Sequence, residues 1–564
     1  MQTARRLYLY LLSGIGLGVL VAGVSLLLTT LLDTIGIDSS TVFSGEQATR
    51  ERLTLATAMS AVSLPVWLIH WLVIQRGVRP GRPEADTERS SAVRGLYFAL
   101  VMGGLLLLAM VLSLLSLVEG LLQRIVGADS FGFGDPAGQI GLLVAAGAAW
   151  GYHLAVRLDD WGRGVITGAA AWLPRAYLYG ATFIGLMLLL FGLADLLALV
   201  ARLLANAGED TIVGGGGPWW SYPLASGIAR ALVGGAAWLG HVWYARRLWA
   251  DPGERGAIER PARLRFAFYV AVLVVSAAAA IGFLGQVGRL LIGAALGLPG
   301  DSGTGGLAGD LLAPVLSSAL FAASWWVHAA ELRRASEDPR AAASVARPGR
   351  LVAYPTALVG LAVGAAATAR LIGLALDQVL GGGQVIGGGT SSERAFADVA
   401  PYAILGIGLW LWHWSGAMRA AAADPAGEAA STIRRASLLV TLAVAVLGGV
   451  ASLGVILYRL FGTLFGLDVP VSVGSELSFP IGALLVTATV ALYHGGLLRR
   501  DGALREGQAA VDTADDAPAV ARPEMALVLV GPDGVEPGTL AGVADGLRAQ
   551  LPEGFELRDE RRMS

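Results

Sequence analysis

The 564-residue chain contains no cysteine and no lysine. Without cysteine, no disulfide, iron–sulfur cluster or thiolate zinc site can form, and the sequence carries no mark of its redox compartment. Charge is scarce as well: charged residues make up 15% of the chain, hydrophobic residues 55%, and the mean hydropathy is +0.63. That balance is too apolar for a soluble protein of this length. Also missing are a P-loop, a dinucleotide-binding glycine motif, a His-Glu-x-x-His pair and a basic aromatic surface. Neither soluble-type enzyme chemistry nor nucleic-acid binding is therefore expected.

Long apolar stretches are abundant instead. Twelve runs of roughly 20 residues recur about every 40, from "LYLYLLSGIGLGVLVAGVSLLL" to "FPIGALLVTATVALY", each long enough to cross a ~30 Å hydrocarbon core as helix. The first is too long for a signal-peptide core and no small-residue cleavage site follows it, so it reads as a retained transmembrane helix. The expected fold is an all-α integral membrane protein with twelve transmembrane helices. All 41 basic residues are arginines; before Ala503, 26 of them flank the starts of odd spans and the ends of even ones, and 8 lie on the opposite side. The positive-inside rule places the protein in the cell membrane with both termini cytoplasmic. The opposite loops, such as "GGGGPWW" and "GGGQVIGGG", suit flexible outer turns.

Only six histidines occur, and each closes an even span: His70, His153, His241, His328, His413 and His494, separated by 83, 88, 87, 85 and 81 residues. This spacing marks an internal repeat. Tryptophan stands three residues earlier in five copies, as Trp67, Trp150, Trp238, Trp325 and Trp410, with Ala491 in the sixth. The odd spans start on arginine and aromatics, as in Arg6-Leu7-Tyr8-Leu9-Tyr10 and Arg175-Ala176-Tyr177-Leu178-Tyr179; the sixth start, Arg435-Ala436-Ser437, lacks tyrosine. The joint loss suggests that these aromatics touch within a hairpin. The reading is six tandem parallel hairpin repeats, at 1–88, 89–170, 171–258, 259–345, 346–430 and 431–502.

These residues resemble a family of bacterial multipass proteins known only as a domain of unknown function, built from two-helix units with Arg-x-Tyr-x-Tyr-like starts and Trp-x-x-His-Trp ends. The resemblance covers roughly residues 1 to 500. It implies a membrane fold with internal repeats and no activity or catalytic residue.

A helix places residues i and i+3 on one face, so each Trp-x-x-His presents an indole and an imidazole together at headgroup depth. As an aromatic belt, tryptophan anchors the helix and histidine bonds the tyrosine of the partner helix. Alternatively the imidazoles gather around a cytoplasmic vestibule and ligate metal or haem; no cofactor is expected on the first reading. At the other end Arg124, Arg202, Arg289, Arg370 and Arg459 close odd helices, opposite Glu51, Asp310, Glu393, Asp398 and Glu476 near the starts of even ones. Salt bridges across each hairpin are the expected role.

Two charges fall deeper. Arg230 stands eleven residues before His241 and Asp195 twenty after Arg175, which at 1.5 Å per residue puts them roughly 16 Å and 30 Å along their helices from the histidine face. They form a candidate intramembrane ion pair, because a mid-bilayer charge costs at least ~2.5 to 3.5 kcal/mol and needs a partner. Pro314, Pro401 and Pro480 lie in even spans, where they can kink a helix. The segments "ADPGE", "EDPR" and "ADPAGE" that follow three histidines read as charged turns. A linker at 503–522 leads to a small cytoplasmic α/β tail at 523–564, read as strand, Pro-started helix and strand. Membrane lipid is the expected partner, and the tail is placed to bind a protein or a copy of itself. Three functions follow: a passive transporter or channel-like protein, a structural or partner-docking scaffold, and histidine-based metal or haem binding. The first is preferred, because repeated hairpins can line a path, although few polar residues lie within the spans.

Overall fold

A computed structural model describes residues 2–37, 46–83, 85–127, 136–163, 169–205, 218–298, 306–337, 348–380, 390–465, 473–515 and 534–551. Among them the structure is all-helical. The first two hairpins are α1 (Gln2–Thr34) with α2 (Glu46–Gly77), and α4 (Ala92–Ile125) with α5 (Pro136–Gly162). The third and fourth are α6 (Ala169–Leu204) with α7 (Ser221–Ala250), and α9 (Arg263–Ala295) with α10 (Gly306–Glu337). The fifth and sixth are α11 (Pro348–Leu380) with α12 (Thr390–Ala423), and α14 (Thr432–Leu464) with α15 (Val473–Asp515). Short helices α3 (Ala85–Arg89), α8 (Glu254–Glu259) and α13 (Pro425–Ala429) lead into α4, α9 and α14. Eleven helices are long and apolar enough to cross a membrane, so the protein is membrane-embedded. The helix α7 falls outside that set, and Arg230 lies within it.

The odd-numbered hairpins close on a glycine seam. A Cβ on Gly16, Gly185 or Gly360 would stand 3.0, 2.6 or 2.6 Å from the backbone nitrogen of Trp67, Trp238 or Trp410. In the third hairpin, Gly185 meets Trp238, Gly192 meets Ala231 and Gly234 meets Leu189, so α6 and α7 run antiparallel in a fixed register. Backbones approach this closely only where side chains are absent, which is how membrane helices gain packing energy without a hydrophobic drive.

Every extensively packed helix pair belongs to one hairpin or to consecutive hairpins. Each odd hairpin's first helix also packs on the second helix of the next, as α1 does on α5 and α6 on α10. The buried apolar residues form clusters on a longer period than the histidines. One joins Tyr10, Leu17, Trp71, Phe98, Met102 and Leu106; a second joins Tyr179, Leu186, Phe268, Leu273, Phe321 and Leu332; a third joins Tyr354, Trp414, Ala417 and Leu438. Each is drawn mainly from two consecutive hairpins, though the second also takes in Val352 of the fifth, and a further cluster of Ala277, Ile281 and Val359 joins the fourth and fifth. Consecutive hairpins group in pairs into larger units of four long helices, α1–α5, α6–α10 and α11–α15.

Within α4, residues Ala99–Leu107 adopt a wider π-type turn. Its Gly103 receives the ring of Tyr177 from the next unit: a Cβ there would lie 2.8 Å from that ring. Pro314, Pro401 and Pro480 sit inside continuous helices, and Pro401 packs against Gly288 of the preceding hairpin.

Several expectations need correcting. The 503–522 linker is helical as far as Asp515, since α15 continues unbroken. "ADPGE" and "ADPAGE" run into α8 and α13 instead of remaining turns; in "EDPR", 338–340 lie outside the described residues. The chain divides into units 1–502 and 503–564. In the second, α16 (Pro537–Arg548) starts on proline, and the flanking segments read as strands lie outside the described residues.

Candidate functional site

At the histidine end, each unit's first arginine meets an acid carried by the short helix about 80 residues later. Arg6 Nε donates to Glu88 at 2.6 Å, Arg175 Nε to Glu259 at 2.7 Å and Arg350 Nε to Glu428 at 2.7 Å. Burial pushes the Glu259 carboxyl up from its ordinary range, while Arg175 pulls it down. The short helices exist to present these carboxylates: α13 starts on Asp424, whose side chain accepts from Gly427 N–H, an N-cap that fixes the turn.

The outer units extend the network inward. Tyr10 and Tyr354 donate to Glu88 and Glu428 and accept from Arg94 and Arg434, both at 3.2 Å. Arg94 Nε donates to Asp160 at 2.8 Å and Arg434 Nε to Asp501 at 2.6 Å, with side-chain exposures of 0% and 3% for the two arginines. Ser91 and Ser431 cap α4 and α14 by accepting from the arginine N–H three residues on. The buried arginine of the sixth hairpin is therefore Arg434, where the sequence reading took Arg435. The Ser-x-x-Arg pattern and an Asp seven residues after histidine were the available signals.

The central unit departs at each of these points. Its cap is Ala262, and Ala335 stands where Asp160 and Asp501 stand, seven residues after histidine. Trp249 Nε1 donates to Tyr179 at 3.1 Å, replacing the arginine that bonds Tyr10 or Tyr354, and the Arg265 guanidinium lies 4.1 Å from the Trp249 ring centre. Trp71 donates to Tyr152 at 2.7 Å and Trp414 to Tyr493 at 2.8 Å, whereas the central unit has Val242 and Val327 at those positions.

The histidines are held mainly by their own helices. Nδ1 of His70, His153, His241, His328 and His494 bonds the carbonyl four residues earlier, at 2.7–2.9 Å. Carbonyls only accept, so Nδ1 carries the proton and Nε2 is left as acceptor. The tyrosines Tyr97 and Tyr177 donate to Nε2 of His153 and His241 at 3.0 Å. His70 meets the Tyr8 ring edge-on at 5.6 Å, and His413 meets the Trp325 ring at 5.8 Å. His494, in the hairpin that lacks the tyrosine, is surrounded by the rings of Trp410, Trp414 and Tyr493. Tyrosine and histidine thus meet within hairpins, while tryptophans reach the next hairpin, as when Trp325 donates to Thr356 at 3.3 Å. The sequence reading had placed the tryptophan contacts within a hairpin. Among the described residues no group of three His, Asp or Glu side chains is placed to hold a metal.

At the opposite end the arginines follow no single rule. Arg459 pairs with Glu476 at 2.8 Å inside the sixth hairpin, Arg289 reaches Asp398 of the next hairpin at 3.9 Å, and Arg370 lies 5.9 Å from the Phe479 ring. Arg202 is exposed, and Arg124 is engaged. Deeper in, Arg230 donates to Asp195 and to Ser226. Asp195 lies nine residues from the end of α6 and Arg230 nine from the start of α7, so both sit ~14 Å from that face at 1.5 Å per residue. Their side chains remain 41% and 35% exposed.

A search of curated proteins and a search of solved structures give no match. A family model described as a domain of unknown function, DUF5671, matches three stretches, residues 6–148, 175–309 and 350–489. Each match begins on the arginine that meets a short-helix glutamate, and each covers most of one four-helix unit. The chain belongs to the DUF5671 family and carries its domain three times in tandem.

Proposed function

We propose that the protein is a passive transporter or channel-like protein of the cell membrane, with twelve spans and both termini cytoplasmic. The observation that carries this reading is the Asp195–Arg230 pair. It lies near mid-span, yet each side chain is more than a third exposed. Two charges at that depth are unstable against hydrocarbon, so the face they present is best served by water, and a hydrated cleft beside α6 and α7 is the beginning of a path. At the histidine end, ion pairs such as Arg6–Glu88, Arg94–Asp160 and Arg434–Asp501 join helices, which supports a fixed frame around that cleft. Tyr97 and Tyr177 already occupy Nε2 of His153 and His241, which favours an architectural role for those two over metal or haem ligation.

The absence of cysteine makes the test direct. Asp195→Cys should react with a membrane-impermeant thiol reagent, and proteoliposomes of the wild-type protein should pass small polar solutes. Asp195→Asn and Arg230→Gln should each lower stability, while the double variant recovers stability and loses flux. An unreactive cysteine together with tight vesicles would abandon transport in favour of a scaffold. Thiol labelling at 215 and 388, which lie outside the described residues, should come from the external side. Labelling from inside would break the topology.

A further inference from the structure

The C-terminal part of α5, one turn before its last, holds a cation that the described residues do not satisfy. The Arg157 side chain is 5% exposed, and none of its three nitrogens meets a hydrogen-bond acceptor among the described residues. Its nearest carboxylate, Asp160, is 3.9 Å away, and the same oxygen already accepts from Arg94 at 2.8 Å. The rings of Phe98 and Trp161 lie 5.5 and 5.1 Å from the guanidinium carbon, which favours a cation there but supplies no acceptor.

Comparison between units makes the residue stand out. Four residues after histidine, where the first unit has Arg157, the second has Leu332 and the third Leu498, and Leu332 is fully buried. A hydrocarbon side chain therefore fills this position in the same fold. Replacing leucine by an unmet guanidinium is unfavourable unless something accepts its hydrogen bonds. More positive charge converges nearby: Arg89 donates to the Asp160 carbonyl at 3.4 Å, and Arg255 donates to the Trp161 carbonyl. Trp161 stacks on Tyr244 of the next unit at 6.0 Å, so the cluster lies where two units meet, at the arginine-rich end of the spans.

We propose that Arg157, which shares the Asp160 carboxylate with Arg94, forms a binding site for a phosphate-type oxyanion at the junction of the first and second units. Guanidinium groups match such an anion through paired N–H donors, and two of them, Arg94 and Arg157, on the single Asp160 carboxylate leave charge for it to neutralise. The anion can be an anionic phospholipid headgroup, since the site lies at the membrane-surface end of α5, or free phosphate.

The full-length protein is tested in two arms. In detergent, inorganic phosphate is compared with chloride at equal ionic strength; in nanodiscs, phosphatidylglycerol-containing bilayers are compared with phosphatidylcholine alone. Wild-type protein should melt several degrees higher with phosphate, with phosphatidylglycerol, or with both. A shift in the nanodisc arm alone identifies a lipid headgroup, and one in detergent identifies free phosphate. Arg157→Leu, which installs the residue of the other units, should keep the fold and lose the shift. Arg157→Gln serves if the leucine variant does not fold, and native mass spectrometry of both reads the bound phosphorus compound. An unchanged shift in these variants, or no shift of the wild type in either arm, overturns the proposal.

Discussion

The outer units and the central unit share a fold but not a polar network. In the first and third, a buried Arg–Asp pair and a Trp–Tyr hydrogen bond join the helices. In the second, both members of the Trp–Tyr bond have become valine, and the aspartate has become alanine where Trp249 supplies a π face to the arginine. Partners change together, which is what contact requires, because a single change would strand a buried polar group. The central unit, stripped at its end, is also the one with an ion pair near mid-span. In the central unit a polar link between helices lies near mid-span, where Arg230 of α7 bonds Asp195 of α6.

The largest expected difference between the units lies in their buried arginines. Arg434→Leu removes both bonds that Arg434 donates to the buried Asp501 carboxylate, which costs about 3–5 kcal/mol. Arg265→Leu, at the equivalent central position, loses a ring contact and a bond to the Arg260 carbonyl but strands no carboxylate, at a cost of about 1–3 kcal/mol. Denaturant titration in detergent micelles measures both, and equal losses would erase the distinction between outer and central units.

Glycine packing should give a middle-sized effect. Gly185→Ala and Gly360→Ala force a methyl toward the Trp238 and Trp410 backbones, costing about 1–3 kcal/mol; Gly16→Ala, whose methyl would stand slightly farther off at 3.0 Å from Trp67 N, should cost less. Gly240→Ala meets nothing within 4 Å and should gain up to ~1 kcal/mol from helix propensity. If all four behave alike, the seam is not where these hairpins are held.

The smallest effect concerns the hydroxyls that accept from tryptophan. Tyr152→Phe and Tyr493→Phe each remove one such acceptor, worth about 0.5–1.5 kcal/mol. The same two variants compared by thermal melting test whether the outer units are equivalent. A loss in only one would show that the first and third networks have also diverged.

The helices were legible because apolar length is a local property, and the repeat was legible because tryptophan and histidine are rare enough for spacing to stand out. The period of two hairpins was harder to read. It rests on Glu88, Glu259 and Glu428, which look like ordinary loop charges until their partners, some 80 residues earlier, are known. Asp160 and Asp501 were hidden in the same way, since acids following an arginine-rich helix end suggest solvation. Asp195 and Arg230 could be singled out because depth can be counted along a helix. How much of each remains uncovered depends on neighbouring helices and cannot be counted.

The long separation between each first arginine and its glutamate also sets a clock. Arg6, Arg175 and Arg350 precede their partners by 82, 84 and 78 residues, so at about 5–20 residues per second a ribosome needs roughly 4–16 s to deliver the carboxylate. During that interval the nascent unit holds its first hairpin with an unanswered positive charge at the surface. The short helix then latches the first hairpin before the second hairpin of the same unit is made, so each unit is tied at its midpoint as it emerges.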